Sequence, residues 1–176
     1  MIEKTKWDTK ELGAENSPYV DILLREYDTF AKRLARVKEM GTAPPKIQNV
    51  IWDQALLVTM EQLVDGYAKI KKCTNEGRAI MSLDLRTFQS SVQKICPIKP
   101  IPHIAYVEGY IKAFYISTES DFLNWCKDHT EYPLKYLLSL ANIGIGTTMK
   151  KAARTTLLQH IEEVDKVRKR AAAVQQ

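Results

Sequence analysis

Residues Lys69 to Leu85 read KIKKCTNEGRAIMSLDL, and the fold depends on whether this run is a reactive centre or a joint between helices. Downstream of it, Met81, Leu85, Phe88, Val92 and Ile95 recur at steps of four and three residues, the spacing of a helix seam that packs against its neighbours. Thr74 and Asn75 are good N-cap types, and Glu76 falls in or near the first turn, where a carboxylate meets the positive end of the helix dipole. The run therefore predicts a stop and restart between two long helices, about 45–72 and about 76–96, or a kink in one. A reactive centre needs more than these residues offer. Cys73 would require a base and a lowered pKa; Lys71 and Lys72 favour the thiolate, but no adjacent His or Asp suggests a partner. Gly77 stands alone, so there is no glycine-rich phosphate loop.

Outward from this joint, apolar residues return at helical spacing almost throughout, and no segment sustains the alternation of a strand. The expected fold class is all-α, an elongated antiparallel helical bundle. Ser17 followed by Pro18 marks the start of a first helix, about 18–40. Its stripe runs through Val20, Leu23, Leu24, Tyr27, Phe30, Ala31, Leu34 and Val37 and ends at Gly41 and Pro44. Pro45 opens the second helix, in which Ile47, Val50, Ile51, Leu57, Val58, Leu63, Val64, Tyr67 and Ile70 cover more than one face. Such a helix belongs in the middle of a bundle.

CPIKPIPHI, Cys96 to Ile104, holds three of the seven prolines and cannot be a continuous helix. It predicts a proline-rich hinge over 97–103, between a long-helix unit at 1–96 and a shorter-helix unit at 104–176; one continuous domain is the alternative. In the second part Tyr106, Val107, Tyr110, Ile111 and Phe114 form one apolar face, with Tyr115 keeping its hydroxyl in water. Ser117 or Thr118 caps the next helix, which turns Phe122, Trp125, Cys126 and His129 to one side. Leu134, Leu137, Leu138 and Ala141 follow, up to the glycines of NIGIG. Thr147 or Thr148 is expected to start the last helix, with Ala153, Leu157, His160, Ile161 and Val164 inward and the terminal AAAVQQ frayed.

The 176 residues are 45% hydrophobic and 27% charged, near globular averages, which excludes a disordered chain. No apolar run approaches the ~18 residues that cross a bilayer, and the opening MIEKTKWDTKELG lacks the apolar core of a signal peptide. A soluble, cytosolic chain is expected. Three cysteines, Cys73, Cys96 and Cys126, form no CxxC pair and leave one over, which argues for reduced thiols rather than disulfides or a zinc site. His103, His129 and His160 are scattered, and no serine sits in a GxSxG turn. We therefore expect no catalytic residue, cofactor or metal, and a binding or scaffolding protein rather than an enzyme.

The net charge of +5 admits an anionic membrane or nucleic acid as partner. Lys69, Lys71 and Lys72, with Asn75, Glu76 and Arg78, are candidates either for partner binding or for bracing the turn. Lys150, Lys151, Lys166, Arg168, Lys169 and Arg170 form a candidate basic tail. Brought to one face, the two groups would suit an acidic helix or lipid headgroups. Nucleic acid is disfavoured, because the helices are long and apolar and no aromatic platform interleaves with the basic residues.

GYAKIKKCTNEGRAIMSLDL, together with SPYVDILLREYDTFAKRL, VEGYIKAFYI and DFLNWCKDHTEY, resembles the carboxy-terminal domain of the syndetin family, in one order from about Trp7 to Asp165. The EGRxxM-like turn is also similar to the corresponding subunit of the Golgi-associated retrograde protein (GARP) complex. The resemblance implies the outer domain of a subunit of the endosome-associated recycling protein (EARP) complex, a helical-rod vesicle tether, without the coiled coils that assemble the subunits. Implied partners are the other EARP subunits, through regions outside this chain, and SNARE proteins, small GTPases or cargo adaptors. The implied location is cytoplasmic, peripheral on recycling endosomes and the trans-Golgi network. Direct binding of anionic membrane or nucleic acid, or the retrograde endosome-to-Golgi tether, are the alternatives.

Overall fold

The computed structural model describes residues 1–41 and 44–174. These residues form seven α-helices and two short 3-10 turns, Ile2–Lys4 and Ile145–Thr148, with no β-strand among them. The helices are α1 (Pro18–Glu39), α2 (Pro45–Ala68), α3 (Asn75–Ile95), α4 (Ile104–Ala113), α5 (Glu119–Asp128), α6 (Leu134–Ile143) and α7 (Lys151–Val174). The chain is an all-α helical bundle.

Ser17 and Pro18 start α1 where the sequence puts them, but the Ser17 hydroxyl makes no cap. Instead the Ser17 N–H donates to Asp84 Oδ1 of α3 at 2.7 Å, so the helix start is fixed by a tertiary contact. α1 and α2 run antiparallel and meet through aromatic side chains. Tyr19 shares a 2.9 Å hydroxyl contact with Tyr67, and the Tyr27 hydroxyl donates to the Ala55 carbonyl at 3.0 Å. Tyr27 also stands edge-on to Phe88 of α3, with ring centroids 5.3 Å apart. α2 then presents Trp52, Leu56, Met60, Leu63, Val64 and Tyr67 to the interior, where it meets α4 and α6. α7 lies across α5 and α6, burying Leu157 and Ile161.

The buried side chains form one continuous cluster from Trp7 to Ile161. Within the proline-rich segment Ile101 is buried, and His103, in a left-handed conformation at φ 63°, caps the start of α4 and reaches Asp53 of α2 at 3.0 Å. Helices on either side of this segment touch directly, α4 packing on both α2 and α3.

Several expectations are corrected. The second helix ends at Ala68 rather than near 72, because Lys69 and Ile70 close it with turn-type bonds back to Gly66 and Tyr67. It does not lie wholly within the bundle: Ile47, Val50, Ile51 and Val58 face solvent. Ile95, at the end of the α3 seam, is also exposed. Thr147 and Thr148 do not begin the last helix. Their hydroxyls donate back to the Gly144 and Ile145 carbonyls within the 3-10 turn, and the helix starts at Lys151. Ala153, expected inward, points outward. α7 continues through Val174, and Gln175 and Gln176 lie outside the described residues.

Candidate functional site

The α2–α3 joint is built around Thr74. Its hydroxyl oxygen accepts the Gly77 N–H at 3.1 Å, the N-cap bond that starts α3. The same residue holds the N-terminal segment: its N–H donates to the Trp7 carbonyl at 3.0 Å, and its hydroxyl donates to the Thr9 carbonyl at 2.6 Å. Trp7 is buried edge-on against Tyr67, 5.7 Å between centroids, and its indole N–H donates to the Ile2 carbonyl at 2.8 Å. Residues 1–9 thus form a strap across the joint. Gly77 makes room for it, since a Cβ there would lie 2.1 Å from the Trp7 carbonyl oxygen. In this motif the glycine is a close-approach residue.

Arg78 crosses from α3 to the end of α4. Its guanidinium donates to the Phe114 carbonyl at 2.9 Å and to Asn75 Oδ1 at 3.3 Å, and sits 5.3 Å from the Phe114 ring centroid and 5.6 Å from that of Tyr115. Asn75 and Arg78 therefore act on the fold together. Glu76 is half-buried in the first turn of α3. Lys69 pairs with Asp65 at 2.7 Å and Glu3 at 3.6 Å. With Lys135 and the Tyr136 hydroxyl also on Asp65, that carboxyl is held below the usual carboxylate range, the Lys69 hydrogen bond being the largest cause. Lys71 and Lys72 are exposed and make no ion pair among the described residues.

The basic tail divides in the same way. Arg168 is a brace: its guanidinium donates to the Cys126, Thr130 and Tyr132 carbonyls at 2.9, 3.0 and 3.1 Å, fastening α7 to the α5–α6 connection. Lys169 pairs with buried Asp165 at 2.6 Å. Lys150, Lys151, Lys166 and Arg170 remain exposed and without ion pairs among the described residues. An open groove of about 950 Å³ runs between the second half of α7 and the α5–α6 connection, with Leu123, Pro133, Leu134, Val164 and Val167 among its lining.

Nucleophilic chemistry finds no support at Cys73. Burial pushes its thiol up to about 11, against the pull of Arg78. Burial likewise raises Cys96, and raises Cys126 to about 12 against the pull of Arg168. At neutral pH all three are thiols. Each histidine faces a single carboxylate: His103 with Asp53, His129 with Glu131 and His160 with Glu119. No group of three or more His, Cys, Asp or Glu among the described residues is placed to hold a metal ion.

Sequence reasoning missed the strap and the Asp84 tether. The signal for the first was Trp7, a lone large aromatic in a polar opening. The signal for the second was Asp84, a lone carboxylate inside the seam of Met81, Leu85 and Phe88.

A family model described as the carboxy-terminal domain of syndetin matches residues 1–162, which takes in the strap, the joint and the first half of α7. The chain belongs to the syndetin family. It is 41% identical to syndetin of Mus musculus over 166 residues, 94% of this chain and 17% of that protein. Syndetin of Gallus gallus and of Rattus norvegicus each match at 40% identity over the same shares. The chain thus spans about a sixth of the length of these curated relatives. No solved structure matches it.

Proposed function

We propose that this chain is the carboxy-terminal interaction domain of a vesicle-tethering subunit acting in endocytic recycling of internalised receptors to the plasma membrane. The observation that carries the reading is the family match over residues 1–162. The physical arrangement is compatible with it: a bundle braced at its joints by Arg78 and Arg168 is a stable arm, and it leaves Lys71, Lys72, Lys150, Lys151, Lys166 and Arg170 for contacts. The role is non-enzymatic and needs no cofactor. Other EARP subunits assemble through regions outside this chain, and SNARE proteins, small GTPases or cargo adaptors bind this one, on the cytoplasmic face of recycling endosomes.

The test uses the full-length protein in cells. Deleting this segment slows the return of an internalised receptor to the surface while the remaining subunits still copurify. Unchanged recycling overturns the reading, and loss of complex assembly makes the segment an assembly element instead.

A further inference from the structure

The first half of α2 turns bulky apolar side chains to solvent: Ile47 is 49%, Val50 60% and Ile51 38% exposed, and Met40 at the end of α1 is 73% exposed. These are not stragglers at the rim of the core. With about 100° between successive residues of a helix, Ile47 and Ile51 fall on the side of α2 opposite Trp52, Leu56, Met60 and Val64, which are buried. The helix is apolar on two opposed faces, and the bundle covers one of them.

Exposed cations lie next to the uncovered face along the chain. The Phe30 and Trp52 rings lie 4.8 Å apart, so the second half of α1 runs beside the first half of α2. There Arg33, Arg36, Lys38 and Lys46 are exposed and form no ion pair with a described residue, whereas Lys32 is taken by Asp28 at 2.6 Å. Glu39 is the one acidic residue within 33–41 and 44–52, so four cations stand against a single acid. The grooves at α7, at the strap and between Tyr27 and Thr59 take in none of Met40, Ile47, Val50 or Ile51. A partner helix seeks a groove. An end that is both basic and apolar suits the boundary between headgroups and acyl chains.

We propose that this end of the α1–α2 hairpin is a membrane-contact surface for an anionic bilayer. Ile47, Val50, Ile51 and Met40 enter the interface, and Arg33, Arg36, Lys38 and Lys46 hold the anionic headgroups. The surface is separate from the α2–α3 joint and from the basic tail, and it requires no part of the tethering role.

Flotation of the purified chain with vesicles tests it, using phosphatidylcholine alone or phosphatidylcholine with phosphatidylserine. The chain rises with the anionic vesicles and not with the neutral ones, and added salt weakens the association. The pair Ile47→Ser with Val50→Ser abolishes flotation. Arg33→Glu with Arg36→Glu lowers partitioning about fivefold for each cation lost, while Lys166→Glu with Arg170→Glu leaves it unchanged. Circular dichroism and thermal melts confirm that the variants stay folded. The proposal is overturned if the chain does not float with anionic vesicles, if flotation survives the Ile47 and Val50 changes, or if it responds only to the α7 changes. Capture of an acidic amphipathic peptide at Ile47 and Ile51 without flotation also overturns it, and makes the surface a helix-docking face.

Discussion

Gly77 sits where the Trp7 carbonyl passes over the first turn of α3, and a methyl group there meets that oxygen at 2.1 Å. Neither backbone can retreat easily, because Thr74 holds the strap with hydrogen bonds to Trp7 and Thr9. Gly77→Ala should therefore destabilise the protein by about 1–3 kcal/mol in urea unfolding, despite the better helix propensity of alanine. A stability equal to wild type would mean that the strap does not press on this turn. Asp84 gives a second test. Its carboxylate accepts the Ser17 N–H, so Asp84→Ala leaves a buried donor unmet, at a cost of about 1–3 kcal/mol. Burial raises its pKa above the ordinary aspartate value, with the Ser17 hydrogen bonds acting against the shift. The folded protein then binds the proton more tightly than the unfolded chain, and stability falls as pH rises from the ordinary value through the raised one. Asp84→Asn retains an acceptor and does not titrate. Its melting temperature relative to wild type should climb across that window, as thermal melts from acid to neutral pH would record; a flat difference would remove Asp84 as the cause.

At the scale of elements, the strap of residues 1–9 and the C-terminal helix both clamp connections between helices. Trp7 is buried against Tyr67 and Tyr19, so Trp7→Ala opens a large cavity and should cost about 3–5 kcal/mol. Hydrogen exchange should then quicken around Thr74 and Gly77, which bond or abut the strap, before it does in α6. Equal acceleration everywhere would show that the strap has no local role. The helices themselves were legible in sequence because caps and breakers are local: Ser17 and Pro18, Thr74 and Thr118 stand at starts that the structure confirms. Contacts made across the sequence were not legible. Nothing near Arg78 announces the Phe114 carbonyl, and nothing near Arg168 announces three carbonyls some forty residues earlier. A run of basic residues looks the same whether its guanidinium groups are solvated or spent on backbone oxygens. The two-faced apolar pattern of α2 misled for a related reason: periodicity reports which faces are apolar, but not whether this chain covers them.

For the whole molecule, the question is how far the two sides of the proline-rich segment unfold together. α4 packs on α2 and α3, α6 packs on α2, and Ile101 and Ile104 enter the core next to the prolines. The Tyr136 hydroxyl and Lys135 both reach Asp65 from the far side of that segment, and Ser139 donates to the Ala68 carbonyl. Contacts of this kind couple the halves, and coupled halves of a chain this size unfold in one cooperative step. The cysteines can report it without any added probe, since Cys73 lies before the segment and Cys126 after it. Burial raises the first thiol to about 11 and the second to about 12, so both resist alkylation while the protein is folded. In rising urea, brief labelling with iodoacetamide followed by mass spectrometry should give the same midpoint for Cys73 and Cys126. Separate midpoints would instead place a boundary within 97–103, making the proline-rich segment a division between units rather than a braced connection inside one core.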